Sequence, residues 1–442
     1  MVRLLPVCMS NVLRHPVDRL LRALLVLVCA SGLASSEGPR AVAAPTARPN
    51  VVLIVGDDMG WQDFGFMGHP VIRTPRLDRL AAESAVFPHG YVPTSLCRAS
   101  LATLLTGRFG HEHRICCNDP PTGVDRSAML PFLRDTPTIP RLLAGAGYRA
   151  LQTGKFWEGH YSNGGFTHGM TTRGRHGEEG LAIGRQTMDP IYRFIRERGA
   201  QPFFVWYAPM LPHEPHNPPA RLLAKYTAPG RHPGLAKYYA MCEWFDETCG
   251  QLFDFLDREG LRDNTLVAFV VDNGWIQETG PTRRTRGNFA PKSKLSPYDG
   301  GLRTPVMVRW PGHTRAGSYP DLVSTVDLAP TLLRACRVKL PPGLPGMDLM
   351  RAADGDGRLG RKAVFGELYV HTALSVDRPP LNLTHRWVRQ GDWKLIVPVD
   401  PQLAPELYGL AHDPAEEKDL AAAQPARVAA LRETLDRWWK GF

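Results

Sequence analysis

Short apolar runs alternate with amphipathic stretches along most of the chain. Five runs rich in Val, Ile, Phe and Tyr read as buried strands: VVLIVG (51–56), YRALQTG (148–154), PFFVWYAP (202–209), TLVAFVVD (265–272) and TPVMVRWPG (304–312). Between them TPRLDRLAAES and STVDLAPTLLRA carry apolar residues at helical spacing, and YYAMCEWFDETCGQLFDFLDREG does so over a longer stretch. Strands alternating with helices predict an α/β fold, a large and mostly parallel sheet with helices on both faces. Near Pro341 the texture changes. After the turn-rich LPPGLPGMDLM come KAVFGELYV, HRWVRQGDWKLIVP and PELYGLAHDP, which read as the shorter strands of an antiparallel sheet. An amphipathic helix over 425–440 closes the chain. The pattern predicts a large domain over 48–340 and a smaller α+β domain over 341–442.

The start of the chain departs from this pattern. A basic segment, MVRLLPVCMSNVLRHPVDRLLR, precedes the apolar ALLVLVCASGLA and the small residues of AVAA. That order predicts a signal peptide within 1–43 and an exported protein, periplasmic or secreted. The apolar run is too short for a permanent membrane span. Apolar residues make up 43% of the 442 and charged residues 22%, which suits a soluble globular protein. The net charge of +10 falls once the arginine-rich leader is removed, but stays positive. A mildly basic exported protein suits an anionic substrate. No nucleic-acid-binding motif is present. Beyond the leader lie Cys97, Cys116, Cys117, Cys242, Cys249 and Cys336. Cys242 and Cys249 would stand roughly 10 Å apart along one helix, too far for a bridge, so this is not a disulfide-built scaffold.

Candidate chemistry gathers where strands end. The first strand runs into Asp57 and Asp58, the fourth into Asp272 and Asn273. Ligands of open parallel sheets bind beyond the carboxyl ends of strands. Close carboxylates repel unless a positive charge joins them, and an all-oxygen set suits a hard cation such as Ca²⁺ or Mg²⁺. Taken alone, Asp57–Asp58 after a strand reads first as a turn or helix cap, and the two strand ends together point to a metal. Cys97 opens the helical RASLATLLTG, at a helix N-terminus that favours anions. A small buried cysteine and a thiolate nucleophile are the two plain readings of it.

CRASLATLLTGR (97–108) then matters as a whole. Together with NVVLIVGDDMGWQDFG, TPRLDRLAAESAVF, TGKFWEG, PFFVWYAPMLPHEP, VVDNGW, KLSPYDGGLRTPVMVRWPG and ELYGLAHDPAEEKDLA, in that order, it resembles the type I sulfatases of the alkaline-phosphatase-like superfamily. The resemblance implies a calcium-dependent sulfuric ester hydrolase. In it Cys97 is oxidised by a separate maturation enzyme to formylglycine, whose hydrate attacks sulfur. It implies one Ca²⁺ held by Asp57, Asp58, Asp272, Asn273 and the modified Cys97. It places Lys155 and Lys294 on the sulfate, and His213 on the sulfate and the leaving group. The substrate it implies is a sulfated carbohydrate or an aryl sulfate. Two positions depart from the family pattern. Leu101 stands where an arginine is usual, with Arg98 nearby, and Trp157 stands where the histidine of Lys-x-His is usual, with His160 nearby. Three other readings are a phosphonate or phosphodiester hydrolase of the same fold, a catalytically silent relative that binds sulfated glycans, and a plain cysteine hydrolase. Loops 116–128, 163–175 and 377–386 are the expected source of selectivity.

Overall fold

The computed structural model describes residues 48–280, 288–354 and 357–442. The expected leader lies outside these residues, as do residues 281–287 of the basic run 281–294. Residues Ala47–Phe442 form one compact unit.

The main sheet has nine strands: β1 (Asn50–Gly56), β2 (Ala85–Tyr91), β3 (Arg149–Gly154), β4 (His168–Gly169), β5 (Phe203–Ala208), β6 (Thr265–Val271), β7 (Arg303–Arg309), β8 (Gly317–Ser318) and β9 (Val323–Ser324). Their order is β4-β3-β5-β1-β6-β7-β2-β8, with β9 beside β2. Pairing is parallel except where β7 meets β6 and β2. All five strands expected from the apolar runs are present. β2 is an addition, because Pro88, His89 and Gly90 interrupt its apolar pattern and shift its register.

β1 shows why the apolar runs are continuous rather than alternating. Successive side chains point to opposite faces, and both faces are covered. Val51, Leu53 and Val55 enter one core with Leu101, Leu104 and Leu105 of the helix Cys97–Thr106 and Leu328 and Leu332 of the helix Leu328–Ala335. Val52 and Ile54 enter the other with Leu77 and Leu80 of the helix Pro75–Ala82 and Met241, Phe245 and Leu252 of the helix Pro233–Arg258. Cys242 and Cys249 lie buried and unbridged in that 26-residue helix. No helix among the described residues is long and apolar enough to cross a membrane.

A second sheet is antiparallel, ordered β10 (Ala363–Tyr369), β11 (Leu383–Gln390), β12 (Trp393–Pro398) and β13 (Glu406–Gly409). The helix Pro425–Trp438 covers one face of it through Leu431 and Leu435. The other face meets the segment after β2: the Pro93 carbonyl accepts from the Glu367 amide (3.1 Å) and the Trp387 indole N–H (3.0 Å).

Arg98 is 1% exposed and makes a bidentate pair with Glu158, at 2.7 and 2.8 Å, and also donates to the Met129 carbonyl. This pair ties the start of the Cys97–Thr106 helix to the segment leaving β3. Breaking a buried pair from one side strands the other charge. Glu158→Gln should cost roughly 3–5 kcal/mol, read as a lowered urea midpoint. Glu417→Gln, on an exposed side chain, should stay within about 0.5 kcal/mol. Equal midpoints for the two variants would remove the pair from the structural account.

Candidate active site

Four neighbouring parallel strands, β3, β5, β1 and β6, end at one edge of the sheet. β1 and β6 are in register to their last residues, Gly56 beside Val271, so Asp57–Asp58 and Asp272–Asn273 emerge side by side. β3 leads directly into Lys155, and β5 leads to His213. β7 runs the other way, so the loop before it, with Lys294, starts at the same edge. β2 runs with β1 and hands the chain to Cys97. The structure thus brings together all eight residues picked from the sequence.

The five charged members are buried and paired. Lys155 Nζ lies 2.6 Å from Asp57 Oδ1 and 3.0 Å from Asp272 Oδ2. Lys294 Nζ lies 2.6 Å from both oxygens of Asp58. Asp272 Oδ1 accepts from the Asp58 amide at 3.2 Å, and Asn273 Nδ2 donates to Asp58 Oδ1 at 2.7 Å. The Cys97 thiol points to Asn273 Oδ1 at 3.4 Å. His213 Nε2 is 3.4 Å from Asp58 Oδ2, while its Nδ1 donates to the Glu214 carbonyl at 2.6 Å. Backbone strain concentrates here. Asp58 (φ 59°), Leu295 after Lys294 (φ 64°) and Met210 before His213 (φ 54°) all adopt left-handed conformations, which cost about 1–3 kcal/mol each.

Burial, and then the Asp57 charge, push the Asp272 carboxyl up to about 7. Burial also raises Asp58, but the Lys294 ammonium outweighs it and holds that carboxyl far below the ordinary range. Burial drives His213 down to about 3 and the Cys97 thiol up to about 11. Cys97 is therefore a thiol at neutral pH, which does not suit a thiolate nucleophile.

The residues fit a cation. One ligand atom each from Asp57, Asp58, Cys97 and His213 lie within 4.8 Å of one another. Asp57 Oδ2 is buried without a hydrogen-bond partner among the described residues. The neutral His213 ring carries its proton on Nδ1, so Nε2 turns a lone pair toward the Asp58 oxygen. An orphaned carboxylate oxygen among hard oxygen donors is what a divalent ion would satisfy.

The two departures resolve differently. Leu101 is buried in the core, and Arg98 is spent on Glu158 and the Met129 carbonyl. The His160 ring is engaged locally: it bonds Ser162 Oγ (2.8 Å) and packs on Tyr161. The ring that does approach is one the sequence reading missed, His176, with its centroid 5.9 Å from that of His213 and 4.3 Å from that of Trp157. Its surroundings in sequence, RGRHGEEG, are a polar loop without periodicity, so nothing marked it.

The Sulfatase family profile matches residues 49–338, and that of N-sulphoglucosamine sulphohydrolase, C-terminal, matches 289–438. The chain belongs to the sulfatase family, enzymes that hydrolyse sulfate esters. It is 28% identical to N-acetylgalactosamine-6-sulfatase of Sus scrofa, over 84% of this chain and 76% of that protein. It is 28% identical to arylsulfatase A of Homo sapiens, over 92% and 89%. It is 24% identical to N-acetylglucosamine-6-O-sulfatase of Bacteroides thetaiotaomicron, over 93% and 90%. A structure solved in complex with its substrate D-glucosamine-2-N,6-O-disulfate shares the fold, with TM-score 0.70 and 21% identity over 89% of this chain and 98% of that one.

Gly154 ends β3 with φ 75°, and a Cβ there would lie 1.8 Å from the Ala208 carbonyl oxygen. That same oxygen accepts from the Lys155 amide at 2.6 Å. Gly154→Ala should push β3 from β5 and displace Lys155. We expect sulfatase turnover to fall about 100-fold, the scale of a 1 Å misplacement, with a lowered melting temperature. Unchanged turnover would show that Lys155 does not depend on this contact.

Proposed function

We propose that the chain is an exported, calcium-dependent sulfuric ester hydrolase that uses a formylglycine made from Cys97 and acts on sulfated glycans. The observation that carries this reading is the convergence of Asp57, Asp58, Cys97 and His213 at one point, with two lysine ammoniums buried against the carboxylates. Export rests on the leader-like start. Glycans are supported by the names of the relatives, two of which are hexosamine 6-sulfatases. A boundary near residue 340 between a catalytic domain (48–340) and a smaller domain (341–442) is part of the reading and is supported by the separate antiparallel sheet.

Asp57, Asp58, Asp272 and Asn273, with the modified side chain at 97, would hold the ion. The ion and the hydrated aldehyde, when present, supply an acidified hydroxyl for attack on sulfur. The chain's own residues do the rest. Lys155 and Lys294, whose ammoniums are buried at this edge, would hold the sulfate oxygens. His213 keeps its Nδ1 proton on the Glu214 carbonyl, which aims Nε2 into the site. Nε2 takes a proton as the anionic ester enters and delivers it to the leaving oxygen.

Aryl sulfate turnover with measured sulfate release tests the reading. We expect a calcium chelator to abolish turnover and added Ca²⁺ to restore it. Cys97→Ala should be inactive, and thiol alkylation should spare the mature enzyme, whose position 97 has no thiol. Ca²⁺ at 100 times its Kd should stabilise the fold by about 2.7 kcal/mol. Faster turnover of an aryl phosphonate, or an unmodified Cys97 in the mass spectrum of active enzyme, would overturn it.

A further inference from the structure

We propose that His176 is a substrate-contacting residue of the reacting site, a second imidazole that donates a hydrogen bond to the ester oxygen and is aimed by Arg175. This rests on the sulfate-ester reading above. The ring faces His213 at 5.9 Å between centroids and an interplanar angle of 65°. The loop that carries it is sewn to the segment carrying Lys155. The Phe156 amide donates to the His176 carbonyl at 3.0 Å, and Thr171 Oγ1 donates to the Gly177 carbonyl at 3.0 Å. Gly177 packs so closely on Gly154 that a Cβ would lie 2.3 Å from the Gly154 oxygen. His176 is thus held where β3 ends, not on a wandering loop.

Its orientation is also fixed. Arg175 Nη1 lies 2.7 Å from His176 Nε2. A guanidinium can only donate, so the ring nitrogen that accepts from it is bare and the other carries the proton. Nε2 is the nearer of the two, with Nδ1 at 3.3 Å from the same Nη1. Asp119 clamps Arg175 through Nε (2.5 Å) and Nη2 (2.7 Å), and the guanidinium also lies 4.5 Å from the Trp157 ring centre. The result is a neutral imidazole among cations, with one N–H to offer. Burial, Lys155 and Arg175 all disfavour a second proton on it. In the step, the S–O bond to the leaving group breaks and its electron pair goes to the leaving oxygen. That oxygen receives its proton from His213. His176 keeps its own proton and stabilises the developing charge through the hydrogen bond.

A donor to the leaving oxygen matters more as the leaving group worsens. Phenyl sulfate and 4-nitrophenyl sulfate are close in shape and differ in leaving-group strength. We expect His176→Ala to lower kcat/KM for phenyl sulfate roughly tenfold more than for 4-nitrophenyl sulfate. His176→Gln, which keeps an N–H, should recover part of the difference. Arg175→Ala should reproduce the discrimination more weakly, as a positioning residue. Equal losses on both esters, or none, overturn the proposal, because a purely structural histidine would not sense the leaving group. Should the wild-type protein release no sulfate from either ester, the function reading fails by itself. His176 is then judged by NMR with inorganic sulfate as the probe. Movement of its ring signals on titration supports contact, and unmoved signals overturn it.

Discussion

Five charged side chains share one sheet edge with almost no exposed surface. Asp57, Asp58, Asp272 and Lys155 are at most 1% exposed, and Lys294 is 8% exposed. Each unpaired charge at such depth would cost several kcal/mol, so the cluster persists only because three carboxylates and two ammoniums neutralise one another at hydrogen-bond distance. They leave one excess negative charge. A divalent cation would reverse that to an excess of positive charge, which suits an anionic ester.

Such a cluster needs rigid arms, and the two that are not strand ends have them. The Arg98–Glu158 pair locks the helix of Cys97 to the segment after Lys155. The Lys294 loop is held by Asp299, five residues on. Asp299 accepts from Tyr91 at 2.8 Å and from Lys394 at 3.0 Å, and its amide donates to Glu416. Lys394 and Glu416 come from the antiparallel sheet and the segment beyond it, and all four side chains are buried. That C-terminal part is thus a buttress for a site lysine rather than an appendage. The left-handed conformations at Asp58 and Leu295 are affordable only within so fully determined a frame.

What the sequence disclosed follows the same division. Asp57–Asp58, Asp272–Asn273 and Lys155 sit at the ends of apolar strands, and a parallel sheet buried on both faces makes such strands easy to see. Cys97 and Lys294 lie further along the chain from their strands and were readable only through the motifs of a family. β2 was hidden because Pro88 and Gly90 break its apolar run where it bulges. The antiparallel setting of β7 leaves no trace in a pattern that records which faces are buried and not which way a strand runs. His176 was invisible for a different reason. A loop residue's place is set by tertiary contacts, here the Phe156 amide and the Gly154–Gly177 approach, and these have no periodicity to read.

The two departures from the family pattern bear on each other. Leu101 removes a cation from an ordered helix, and Trp157 removes an imidazole from an ordered strand end. A guanidinium and an imidazole stand together on one loop, at Arg175 and His176. Trp157 itself makes the exchange sterically workable. Its indole meets His176 edge-on and Arg175 face-on, so the side chain that displaced the histidine also forms the wall against which both loop residues rest. A donor at this position needs only a fixed direction and a neutral ring, and neither requires that it come from the strand. Placing it on a loop tied to Asp119 couples the chemistry to the segment 116–128, one of the expected sources of selectivity. Substrate selectivity and leaving-group stabilisation would then vary together, through one ion pair, in a way that a histidine fixed to the strand does not allow.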